Sequence, residues 1–123
     1  MIYEIRGKQV MLDSDLAKLY NVETKRINEA VKNNIEKFPE RYCFQLNDEE
    51  SNNLRSKIST SKINSHGGRR YNQRVFTEQG VYMLATILKS KIAASITIAI
   101  MDAFVAKASM MILGEGIRVR KCK

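Results

Sequence analysis

Cysteine, histidine and proline are scarce in this sequence of 123 residues, which has two cysteines, one histidine and one proline. Cys43 stands in an apolar run and Cys122 in the tail, so the pair offers no disulfide framework. Together with the lone His66 they give no zinc-ligand spacing either. No metal is expected, and a reducing, cytoplasmic setting is. The single proline, with 44% apolar and 28% charged residues, describes an ordinary globular chain and not a disordered one. An apolar leader is missing too, because "MIYEIRGKQV" carries charges where a signal peptide needs its hydrophobic core. The longest apolar run, "KIAASITIAIMDAFVAKASMMIL", is interrupted by Asp102 and Lys107, and we do not read it as membrane-spanning. Internal repeats are absent. So are G-x-S-x-G, H-E-x-x-H, a Walker loop, a dinucleotide fingerprint and any acid pair beside a nucleophile. The expectation is a protein that is not an enzyme and takes no cofactor.

Acid is missing from one region in particular. The net charge is +8, but residues 1–50 carry ten acids against eight bases. Residues 51–75 carry six bases (Arg55, Lys57, Lys62, Arg69, Arg70, Arg74) and no acid, and residues 76–123 seven bases against three acids. The positive field therefore arises in the middle and tail of the chain. Such a field favours polyanions, nucleic acid first, and says little about fold.

The pattern along the chain is α+β, with a short hairpin, a few small strands and about five helices in a single domain over 1–113. A basic, glycine-broken tail follows over 114–123. "YEIRGKQVML" reads as a β-hairpin in which Gly7 supplies the positive φ of a tight connection. Asp13 or Ser14 is positioned to cap a helix with Leu16, Leu19 and Tyr20 on one face. Asn21 suits a helix stop, and Thr24 is expected to cap a second helix running to about Asn34, with Ile27, Ala30, Val31 and Ile35 in helical period. Pro39 ends that helix, and Tyr42 to Leu46 have strand character. Asn47 opens a helix with three acids in its first turn. After a long polar stretch comes a short strand, "RVF", and then Thr77 caps a helix in which Gly80 implies that another backbone packs close. The last helix, from about Lys91 to Leu113, is apolar on most of its circumference and needs cover on several sides, some of it from a second copy of the chain.

Two segments are candidate polyanion contacts. In "LDSDLAKLYNVETKRINEAVKNN", Ala17 is the small residue, Asn21 takes the turn, Val22 plugs it, and Ile27 and Ala30 face inward, as in a helix-turn-helix. Outward lie Lys25, Glu29, Lys32 and Glu36, flanked by Arg26, Asn28 and Asn33. Arginine and asparagine are groove-reading residue types. The alternating signs, with Lys25/Glu29 and Lys32/Glu36 spaced i,i+4, equally fit a solvated, salt-bridged face. The second segment, "SKISTSKINSHGGRRYNQR", combines cations, neutral donors and a glycine pair that lets a backbone approach closely, which is what phosphate binding requires. It equally fits a solubilising loop. The candidate DNA contacts are thus Thr24, Lys25, Arg26, Asn28, Lys32 and Asn33 in the second helix, and Arg55, Lys57, Lys62, Gly67, Gly68, Arg69, Arg70, Tyr71 and Arg74 in the basic segment.

The blocks "MLDSDLAKLY", "GGRRY" and "FTEQG", in that order, resemble the phage ORF-6N domain, and the likeness extends over roughly residues 2–106. That family is grouped with the KilA-N and Bro-N domains of phages and large DNA viruses. The resemblance implies double-stranded DNA binding in phage or prophage regulation, often within antirepressor-like proteins. It brings no catalytic residues. The alternative from another class is a module that binds a phage repressor or another regulatory protein. The expected partners are double-stranded DNA, a second copy through residues 92–113, or a repressor, and no membrane.

Overall fold

A computed structural model describes residues 1–57, 72–89 and 91–114, with helices and strands mixed as the α+β pattern predicts. The chain opens with strands β1 (Ile2–Ile5) and β2 (Lys8–Leu12). They are joined by Arg6 at φ 57° and Gly7 at φ 74°, the two positive φ values that a two-residue hairpin turn matching strand twist demands. Helices α1 (Asp13–Tyr20) and α2 (Thr24–Asn33) follow, then a single 3-10 turn at Ile35–Lys37 and strand β3 (Cys43–Gln45). Helix α3 (Asp48–Lys57) precedes the undescribed residues 58–71, which β4 (Arg74–Thr77), α4 (Glu78–Leu88) and α5 (Lys91–Gly114) succeed.

The four strands form one antiparallel sheet in the order β1-β2-β4-β3. Register places Met11, Phe76 and Cys43 in a row across three strands, and Leu12, Val75 and Phe44 in the next. Because side chains alternate faces along a strand, the first row joins a core with α1, α2, α4 and α5. The second joins a smaller core in which Leu54 of α3 closes over Val10, Val75 and Leu46. Phe76 is fully buried and meets Phe38 edge to face at 6.1 Å between centroids, an arrangement worth about 0.5–1.5 kcal/mol beyond the area it buries.

The helix ends show which local signals acted. Asn47 Oδ1 accepts from the Glu50 amide at 2.8 Å while Glu50 returns a carboxylate to the Asn47 amide at 3.0 Å, a reciprocal capping box. Thr77 Oγ1 accepts from the Gly80 amide at 3.3 Å, as its position predicts. The expected caps at α1 and α2 are corrected. The cap residues there are Leu12 and Glu23, with no side-chain cap bond, and Asp13 and Thr24 fall inside the first turn. Asp13 sits one residue inside the helix, where one carboxylate oxygen meets the first-turn Ser14 amide and the other the tertiary partners described below. Ile35 is also corrected. The helix stops at Asn33, so Ile35 leaves the apolar period and is 59% exposed.

Gly80 sits where a side chain cannot. A Cβ built there would lie 1.9 Å from the Tyr42 carbonyl oxygen, so the close backbone that the glycine implied is the residue just before β3. The Thr77 amide donates to that same carbonyl at 3.0 Å, and the Thr77 hydroxyl donates to the Arg41 carbonyl at 2.9 Å.

Candidate nucleic-acid interface

Asn21, at φ 60° and ψ 46°, ends α1 in the left-handed conformation that asparagine tolerates, and the Val22 amide donates back to the Ala17 carbonyl at 2.9 Å. Three residues therefore turn the chain between α1 and α2. Ala17 is buried against the second helix's inward face, where Ile27 and Val31 are fully buried and Ala30 nearly so. That side of α2 is wholly used. Lys25, Arg26, Glu29, Lys32 and Asn33 remain exposed on its other side, and Thr24 is half-buried at its first position. Neither Lys25/Glu29 nor Lys32/Glu36 closes into a salt bridge. Among the described residues the ion pairs are those of Arg6 with Glu40 and Glu50. The cations of α2 thus face solvent.

Beneath this face lies a polar knot that the sequence did not reveal. Asp13, at the joint of β2 and α1, is fully buried. Its Oδ1 accepts from the Ser14 amide at 2.7 Å, and its Oδ2 accepts from Asn28 Nδ2 at 3.0 Å and from the Arg74 amide at 3.3 Å. Asn28 Oδ1 in turn accepts from Arg74 Nε at 2.8 Å, and its Nδ2 also donates to the Thr24 carbonyl at 3.1 Å. A buried polar group is tolerated when its hydrogen bonds are made, and here one carboxyl ties α1, α2 and β4 together. Arg74 also lies beside the Cys43 thiol. Burial pushes that thiol up to about 11, against the opposing pull of the Arg74 guanidinium, so Cys43 is a protonated core residue at neutral pH.

The residues predicted from sequence therefore divide. Lys25, Arg26, Lys32 and Asn33 share one exposed face. Asn28 and Arg74 are brought together, but their polar atoms serve the knot, and Arg55 is half-buried on α3 with its guanidinium on Asn52 Oδ1. Lys57 closes α3, while Lys62, Gly67, Gly68, Arg69, Arg70 and Tyr71 lie outside the described residues. The end of the basic stretch is firmly held. The Leu46 amide donates to the Gln73 carbonyl at 2.8 Å, Ser51 donates to Gln73 Oε1 at 3.2 Å, and Asn72 donates to Asp48 at 2.9 Å. Arg74 then closes the stretch against α2. The only sequence signal for the knot is an acid, Asp13, directly abutting the apolar "VML" of β2.

Elsewhere the polar chemistry is structural. Arg6 in the hairpin turn donates twice to Glu50, at 2.8 and 2.9 Å, and lies 4.2 Å over the Phe44 ring. These bonds from Arg6 hold the Glu50 carboxyl below the usual carboxylate range. Among the described residues no group of three or more His, Cys, Asp or Glu is placed to hold a metal. By length and composition Ile92–Ser109 of α5 is apolar enough to cross a membrane, yet it buries Ile100 and Phe104 in the domain's own core.

The fold and this face define a small α+β domain whose paired helices stand at the end of a basic segment. The sequence matches the ORF6N domain over residues 1–87, most of the chain, and the protein belongs to that phage-type regulatory family. No match to the chain was found among curated proteins or among solved structures.

Proposed function

We propose that this domain binds double-stranded DNA and acts in phage or prophage gene regulation. One observation carries the reading. α2 turns Lys25, Arg26, Lys32 and Asn33 to solvent beside Arg74, which ends a 25-residue stretch holding six bases and no acid. Cations in such a stretch neutralise phosphates without regard to sequence, whereas arginine and asparagine on a helix can meet base edges in the major groove. The division of labour follows: residues 55–70 grip the backbone and α2 carries sequence preference. Family membership supports a regulatory role for that binding.

Selection from random duplexes tests it. The wild-type chain is expected to enrich a recurring short sequence, and Lys25→Ala/Arg26→Ala to lose or alter that preference while still binding. Recovery of the same sequence by both proteins removes α2 from base reading. No enrichment and no retention of duplex at all refutes DNA binding. An antirepressor-like capture of another regulatory protein is the reading left in that event.

A further inference from the structure

α5 carries more apolar surface than its own domain uses. Ala93, Thr97, Ile100 and Phe104 are buried, at spacings of four, three and four, so one stripe of the helix meets the core. Tyr20 of α1 shares a hydrogen bond with Thr97 at 2.6 Å, which fixes the rotation of α5 about its axis. A different stripe is left outside. Ile98 and Val105 are 64% and 59% exposed, and Ala94 and Ala108 are exposed with Met101 half-buried between them. Past Phe104, every side chain from Val105 to Ser109 is exposed.

The outer stripe has a register. Ile98 and Val105 are seven residues apart, and Ala94, Met101 and Ala108 form a second series of sevens offset from the first by three and four. That is the alternation of two seam positions in a coiled coil. The seam contains no charged side chain, since Asp102 falls on its flank. We propose that α5 pairs with α5 of a second copy of this chain in a two-fold dimer, through Ala94, Ile98, Met101, Val105 and Ala108. An interfacial lipid helix carries bulky Trp, Phe or Leu beside Lys and Arg, whereas this stripe holds two alanines in five positions and is flanked by Asp102. Isoleucine and valine at one seam position favour two strands, and alanines at the other allow close approach. The area sets the strength. The seam spans residues 94–108, about 22 Å of helix, and laying a third of that girth on a copy covers on the order of 600 Å² over both partners. That is the size of a weak, transient interface, so a reversible dimer with a Kd of roughly tens of micromolar is expected.

Sedimentation equilibrium of the 123-residue chain, without DNA, is the test, so that its outcome is independent of the DNA reading. The wild type should pass from monomer towards dimer as concentration rises from about 1 to about 100 µM, the range that a constant of tens of micromolar spans. Ile98→Glu/Val105→Glu should stay monomeric over that range with an unchanged circular dichroism spectrum. The conservative pair Ile98→Val/Val105→Ile should keep the dimer. A wild type that remains monomeric at 100 µM, a dimer that survives the glutamates, or association seen only with phosphatidylcholine vesicles each overturns the proposal.

Discussion

Helices α2 and α5 use their apolar side chains in opposite ways. In α2 the aliphatic residues Ile27, Ala30 and Val31 are all buried, and what remains outside is charge and amide. In α5 the buried stripe is completed by Ile100 and Phe104, and what remains outside is more aliphatic surface, with Ile92, Ile98 and Val105 each about 60% exposed. The face a helix does not spend on its own core indicates the partner it suits. Charge left over on a basic protein suits a polyanion, and an uncharged heptad stripe suits another helix. α4 stands between the two and packs on both.

The largest way to break the comparison is to loosen α2 from the rest. Asp13→Ala removes the acceptor of the Ser14 amide, the Asn28 amide and the Arg74 amide together. Losing several buried partners at once should cost about 3–5 kcal/mol in urea denaturation, and Asp13→Asn, which keeps one acceptor oxygen, should cost less. The inner and outer faces of α5 should separate next. Ile100→Ala is expected to destabilise by about 2–5 kcal/mol, and Ile98→Ala, measured at a concentration where the chain is monomeric, by less than about 0.5 kcal/mol. Equal costs would mean that the two faces are not distinct. Gly80→Ala drives a methyl into the Tyr42 carbonyl and should cost about 1–3 kcal/mol as β3 or α4 yields.

The smallest effect concerns the hairpin turn. The Glu50 carboxyl is held low by Arg6, so the pair stabilises the fold above the ordinary carboxylate pKa and loses that contribution as pH falls through the lowered value. At pH 7 Glu50→Gln should cost about 0.5 kcal/mol, as exposed pairs do. Once the pH is below that lowered value the difference from wild type should vanish.

Much of this architecture was legible because it is encoded locally. The Arg6-Gly7 turn, the Asn21 stop, the Asn47 and Thr77 caps and the backbone approach at Gly80 each depend on residues within one turn, or on a glycine that has no other use. The knot was not legible, because Asp13 bonds to Asn28 and Arg74 across 15 and 61 residues. For the same reason Asn28 and Arg74 read as free recognition groups in the sequence and serve as internal struts in the fold. Thr24 and Ile35 were misplaced by the opposite error, in which a good local pattern ran one step past where tertiary packing ended it.

Anisotropy titrations of a labelled duplex over a salt series test the central claim most directly, with wild type compared against Arg69→Ala/Arg70→Ala. Five phosphate contacts from the bases of residues 55–70 predict a wild-type slope of log affinity on log salt of roughly −4.5, falling in magnitude by about 2 in the double variant. An unchanged slope in the variant, or a wild-type affinity indifferent to salt, would contradict the account.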